Sequence, residues 1–134
     1  MREAVVEVAT GRRYTYAEWE VEVNRWANAF LEAGVRIGDR VSTVLYNTLE
    51  LATALFACAK IGAVFNPINF RLKAEEIAYI LMDAEPKIVI FERSVEPQLA
   101  AISSRFPHVS FWSIDGDPPP FAKNAYEQVV QATD

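Results

Sequence analysis

Cysteine and histidine are almost missing from this chain of 134 residues, which has one of each, Cys58 and His108. One cysteine makes no internal disulfide, so a disulfide-stapled secreted scaffold is excluded. One histidine with no cysteine beside it makes no zinc-ligand spacing. Glycine is scarce as well. Gly11, Gly34, Gly38, Gly62 and Gly116 are the full set, and each stands where a turn or helix stop is expected. A Walker loop needs a glycine-rich turn running into Gly-Lys-Ser/Thr, and a dinucleotide fingerprint needs Gly-x-Gly-x-x-Gly; neither is present. The formal charge is −5 with no lysine or arginine cluster, which argues against nucleic acid as a partner. No apolar run approaches the roughly 18 residues that a membrane helix needs. The first residues, MREAVVEVAT, lack the apolar core of a signal peptide. The cytoplasm is the expected compartment.

What is present reads as alternating strands and helices. With 51% apolar and 23% charged residues, the chain has an ordinary globular composition. Its length suffices for one domain that buries about two-thirds of its unfolded surface. Ala4–Val8 and Arg12–Tyr14 are short β-type runs around Ala9-Thr10-Gly11, a predicted hairpin. Thr15 and Glu18 have capping-box spacing, and Trp19, Val23, Trp26 and Phe30 then recur on one helical face, widened by Ala27 and Leu31. Gly34 stops that helix. Arg40–Tyr46 reads as a strand. Leu49–Lys60 reads as a helix with Leu51, Leu55, Cys58 and Ala59 on its main face, an apolar arc extended by Leu49, Ala52 and Phe56, and a polar strip of Glu50, Thr53 and Lys60. Ala63–Phe65 is a short strand closed by Pro67. Ala74–Ala84 is a helix with Ile77, Leu81 and Ala84 inward, and Pro86 prevents its continuation. Lys87–Phe91 is an apolar strand, Ser94–Pro97 opens a helix with Leu99, Ile102 and Phe106 on one side, and His108–Ile114 is a further strand. Asp115-Gly116-Asp117 and three prolines form a rigid turn, and Asn124 with Glu127 caps a last short helix. This order predicts an α/β fold: right-handed crossovers and a mostly parallel sheet with helices on both faces, preceded by the N-terminal hairpin.

Few residues carry chemistry. Cys58 lies on an apolar helix face, where a free thiol behaves as a small hydrophobe. Trp19 and Trp26 form a core stripe, and His108 is read as structural at a strand edge. Asp115-Gly116-Asp117 lacks the distal glutamate of a calcium loop. No metal site and no catalytic residue are expected. Asn66-Pro67-Ile68-Asn69-Phe70-Arg71-Leu72 differs, because it follows the carboxyl end of a strand, where open α/β sheets bind ligands. Arg71 precedes a helix N-terminus, whose dipole gives a cation no support. A phosphate or carboxylate partner would explain it; a solvated arginine paired with Glu75 at i+4 is the other reading.

Several stretches carry a family resemblance. Tyr14–Trp19 is similar to the first core motif of the adenylate-forming enzymes, Gly34–Val41 to its lead into the next strand, and Ala59–Pro67 to its second core motif. Asn69–Leu72, Glu76, Tyr79–Leu81 and Tyr126-Glu127 continue the likeness, which runs from about Arg12 to Gln131. The chain resembles the N-terminal part of these enzymes, closest to the fatty acyl-CoA synthetases. The resemblance implies a two-step acid–thiol ligase acting on a long- or medium-chain fatty acid. The carboxylate attacks the α-phosphate of ATP, and the acyl group then passes to the thiol of coenzyme A. It implies ATP, magnesium and coenzyme A as the cofactors of a parent of about 500 residues or more, several times one hydrophobic core. Residues 1–134 are then a single α/β N-terminal subdomain of that ligase. The phosphate loop and catalytic lysine of the family lie beyond these residues, so the 134 residues alone are expected to bind no cofactor and to have no ATP-dependent activity.

The family also implies that its two N-terminal core motifs are scaffold and that Arg71 lies near the phosphates of coenzyme A. Lys73 departs from the usual Ser or Thr cap, at a cost of about 1 kcal/mol. Two other readings stay open: part of a carrier-protein-loading adenylation domain, and a stand-alone, non-catalytic α/β protein-interaction module. A partial chain is expected to expose apolar surface and to self-associate.

Overall fold

The computed structural model describes residues 3–6, 13–46 and 49–132. Strands β1 (Glu3–Val6) and β2 (Arg13–Thr15) pair antiparallel, as the hairpin reading requires, while its turn at Ala9-Thr10-Gly11 lies outside the described residues. The capping box forms: Thr15 N–H donates to Glu18 Oε1 at 2.8 Å and Glu18 N–H to Thr15 Oγ1 at 3.1 Å. Helix α1 (Tyr16–Glu32) follows and buries Val23, Trp26, Ala27, Ala29 and Phe30. Leu31 does not widen that stripe but is exposed, since one further residue rotates it about 100° away from Phe30. Gly34, at φ +97°, ends the helix in a left-handed turn, with Val35 N–H donating back to Phe30 O at 3.0 Å.

Five strands form one wholly parallel sheet: β3 (Arg40–Val44), β4 (Val64–Pro67), β5 (Ile88–Phe91), β6 (Ser110–Ser113) and β7 (Ala122–Asn124), in the order β4-β3-β5-β6-β7. Strand alternation divides the core into two layers. Val41, Ile88, Ile90 and Trp112 face one cluster together with α1, α2 (Leu49–Ile61) and α5 (Ala125–Gln131). Val44, Val89, Phe91 and Phe111 face the other, with α3 (Ala74–Ala84) and α4 (Glu96–Ile102). The α/β reading with helices on both faces therefore holds. Strand β7 is an addition, three residues that follow the proline-rich turn and pair with β6.

Helix α2 turns a different face inward from the one its hydrophobicity marks. Leu49, Glu50, Thr53, Ala54, Ala57 and Cys58 are buried, while Leu55, Phe56 and Ala59 are exposed. The reason is close packing: the small Ala54, Ala57 and Cys58 let α2 approach the sheet and α1. The two polar residues find partners, Thr53 donating to Leu49 O at 2.9 Å and accepting from Trp19 Nε1 at 3.1 Å. Glu50 accepts from the Tyr126 hydroxyl, which ties α5 to the start of α2. At α3, the Lys73 side chain supplies no cap, but the Glu76 carboxylate accepts the Lys73 N–H at 2.9 Å, so half of the capping box survives. Glu85, left-handed at φ 47°, and Pro86 end this helix.

Candidate functional site at the carboxyl edge of the sheet

The first strand of the sheet, β3, is flanked by β4 on one side and β5 on the other. Successive connections therefore leave in opposite directions from β3, which makes the carboxyl ends of β3 and β5 the topological switch point of the sheet. Doubly wound sheets bind ligands at such switch points.

Local interactions fix the residues around this switch point. Ile68 N–H donates to Thr43 O at 2.7 Å, holding the segment after β4 against β3. Asn66 Nδ2 donates to Ser42 Oγ at 2.9 Å. Asn69 Oδ1 accepts Arg71 N–H at 2.9 Å, a side-chain turn that sets the chain direction before α3. Phe70 then meets the Tyr46 ring edge-on, with centroids 4.9 Å apart. The Arg71 guanidinium carbon lies 5.3 Å from the centre of the Phe70 ring, a cation–π contact of about 0.5–1 kcal/mol at an exposed site. Glu92, just past β5, accepts the Tyr46 N–H and so bridges the two strands of the switch point. Next to it, Arg93 N–H donates to Asp115 Oδ2 at 2.5 Å.

Arg71 is exposed at this edge, and among the described residues no carboxylate pairs with its guanidinium. The i+4 pairing with Glu75 does not form. Glu75 instead makes a two-pronged pair with Arg105, at 2.9 and 2.6 Å, which lowers the Glu75 carboxyl below its ordinary range. Arg71 precedes the first turn of α3, so helical i+4 geometry does not apply to it, whereas α3 packs on α4 and brings Glu75 to Arg105. A cation held on an aromatic ledge with no internal counter-ion can take a phosphate or carboxylate.

The other sequence candidates lie elsewhere. Cys58 is buried, and burial pushes its thiol up to about 12, so it is no nucleophile. His108 is exposed in the turn before β6 rather than within a strand. It lines a cleft of about 660 Å³ with Asp39, Lys87 and Arg105, at the amino edge, opposite the switch point. In that cleft Arg105 is already committed to Glu75. Asp115 and Gly116 are held as a turn, their carbonyls accepting from Asn124 Nδ2 at 3.1 and 2.8 Å. Among the described residues no group of three or more His, Cys, Asp or Glu is placed to hold a metal ion. Tyr46 and Glu92 were not singled out by sequence, because only the strand order brings them together.

Strand order and helix placement together define an open, doubly wound α/β protein. Comparison with known proteins then makes the assignment specific. The model of the family described as AMP-binding enzyme matches residues 1–134, and the chain belongs to that family. It is 38% identical over 103 residues to the long-chain-fatty-acid–CoA ligase FadD13 of Mycobacterium tuberculosis, covering 77% of this chain and 20% of that one. It is 34% identical over 131 residues to the long-chain-fatty-acid–CoA ligase of Thermus thermophilus, covering 96% and 24%. The solved structure of a Mycobacterium tuberculosis fatty acyl CoA synthetase superposes with a TM-score of 0.82 at 32% identity, over 96% of this chain and 25% of the other. The chain thus spans a fifth to a quarter of the length of these relatives.

Proposed function

We propose that this chain is the N-terminal α/β subdomain of an ATP-dependent fatty acyl-CoA synthetase, which adenylates a fatty acid and transfers the acyl group to coenzyme A. The observation that carries the reading is the family match over residues 1–134, combined with relatives about four times as long that are fatty-acid–CoA ligases. The parent uses ATP, magnesium and coenzyme A and works in the cytoplasm; among the described residues no helix is long and apolar enough to cross a membrane.

The residues of this chain do not fit an ATP–magnesium site. They contain no phosphate loop and no cluster of acidic ligands among the described residues. Their contribution is scaffold and one edge. In the parent, Arg71 holds a phosphate of coenzyme A, with Phe70 beneath the guanidinium and the Asn69 turn fixing its backbone. The cation supplies binding, not bond-making.

Acyl-CoA formation by the full-length parent tests the activity, and Arg71→Ala tests the site. An exposed charge-assisted contact is worth about 1.5 kcal/mol, so the coenzyme A KM should rise about tenfold with fatty-acid-dependent pyrophosphate exchange unchanged. Arg71→Lys should recover part of the loss. Unchanged coenzyme A kinetics in Arg71→Ala would remove this residue from the site.

A further inference from the structure

Tyr46 is fixed in place yet 55% exposed. Strand β3 stops pairing at Val44, opposite Phe91, and Tyr46 lies two residues further on. There the ladder has ended, and the Glu92 carboxylate takes the Tyr46 N–H instead. A large aromatic ring gains most from burial, so an anchored ring left in the open calls for a reason. Among the described residues the Tyr46 hydroxyl makes no hydrogen bond, and its ring meets one other, that of Phe70.

The contacts run in series and end on Arg71. Phe70 is half-buried against the layer that holds Ile68, Ile77 and Leu81. The Tyr46 ring meets it at 77°, edge-on, which restricts how the Phe70 ring can turn. The Arg71 guanidinium lies over that same ring, and the Asn69 turn holds the Arg71 backbone. A free arginine loses rotamer freedom when it takes an anion, and a guanidinium already seated on a fixed ring loses less. The exposed tyrosine is thus explained by the cation that its one ring neighbour carries.

We propose that Tyr46 is a positioning residue for the coenzyme A phosphate: through the Phe70 ring it presets the Arg71 guanidinium. The inference rests on, and deepens, the reading of Arg71 as a phosphate contact in the parent ligase. Steady-state kinetics of the full-length parent test it, with coenzyme A and fatty acid varied separately. Tyr46→Ala should raise the coenzyme A KM about threefold, the worth of one edge-on ring contact, and leave the fatty-acid KM in place. Tyr46→Phe should restore the coenzyme A KM, because the ring and not the hydroxyl makes the contact. In a Phe70→Leu background Tyr46→Ala should add nothing, since the coupling runs through that ring. Equal rises in both KM values would overturn the proposal as general damage to the fold. A full Tyr46→Ala effect without Phe70, or no recovery in Tyr46→Phe, would overturn it too, because Tyr46 would then touch the ligand itself. An unchanged coenzyme A KM in Tyr46→Ala beside a raised one in Arg71→Ala sinks this inference alone. No change in either variant removes the phosphate reading beneath it as well.

Discussion

Thr43→Val should make the protein more stable. Thr43 sits in the middle of β3, in register with Pro67 on one side and Ile90 on the other, and is fully buried. By strand alternation it faces the same layer as Val41 and Leu45, which packs against Ala54, Ala57 and Cys58. Its hydroxyl has no hydrogen-bond partner among the described residues. Burying a hydroxyl without a partner costs about 1–3 kcal/mol. Valine keeps the branched shape and strand preference while removing the polar atom. A gain of about 1–2 kcal/mol is expected, which at the usual unfolding entropy per residue for a chain of this size raises Tm by roughly 4–7 °C. Urea unfolding followed by circular dichroism measures it, with an unchanged slope as the sign that only stability moved. Thr43→Ser, which keeps the hydroxyl and loses a methyl, should instead destabilise by about 1 kcal/mol. An unchanged or lowered midpoint for Thr43→Val would refute the reasoning, because it would mean that the hydroxyl is satisfied.

Two further perturbations follow from the core. Cys58 should resist thiol reagents at pH 8 until the protein unfolds, and rapid labelling of the folded chain would contradict its burial. The same group sets a pH limit. Its folded value is raised from 9.0 to about 12, so below pH 9 both states hold the proton and stability is complete. Between those values the unfolded thiol ionises first, and stability should fall by about 1.4 kcal/mol per pH unit. Midpoints measured from pH 8 to 11 check the slope. Tyr126→Phe removes the hydroxyl that donates to buried Glu50 but keeps the ring edge-on to Trp26 at 5.6 Å. The expected loss is about 1–3 kcal/mol in urea unfolding, and a neutral result would mean that the other contacts of Glu50 suffice.

Where sequence and structure agree, the signals are local. The Thr15–Glu18 box, the glycine stop at Gly34 and the Ala74–Ala84 bounds depend on neighbours within a few residues, so periodicity and capping chemistry reveal them. Helix α2 misleads because hydrophobicity ranks Leu55 and Phe56 above Ala54 and Ala57, while packing distance favours the small residues. Strand β7 is too short and too polar to show a pattern, and it exists through its pairing with β6. At the candidate site, Arg71 is visible because a cation before a helix N-terminus lacks a local reason. Tyr46 and Glu92 are invisible, since their meeting depends on β3 lying beside β5, a fact of topology that no spacing in the chain encodes.

The most direct test of the central claim is fatty-acid-dependent ATP–pyrophosphate exchange, measured side by side on the full-length parent and on residues 1–134. The account predicts exchange by the parent, followed by acyl-CoA on addition of coenzyme A, and none by the 134 residues. Turnover by the 134 residues alone, or a parent that forms no acyl-adenylate from any fatty acid, would contradict it.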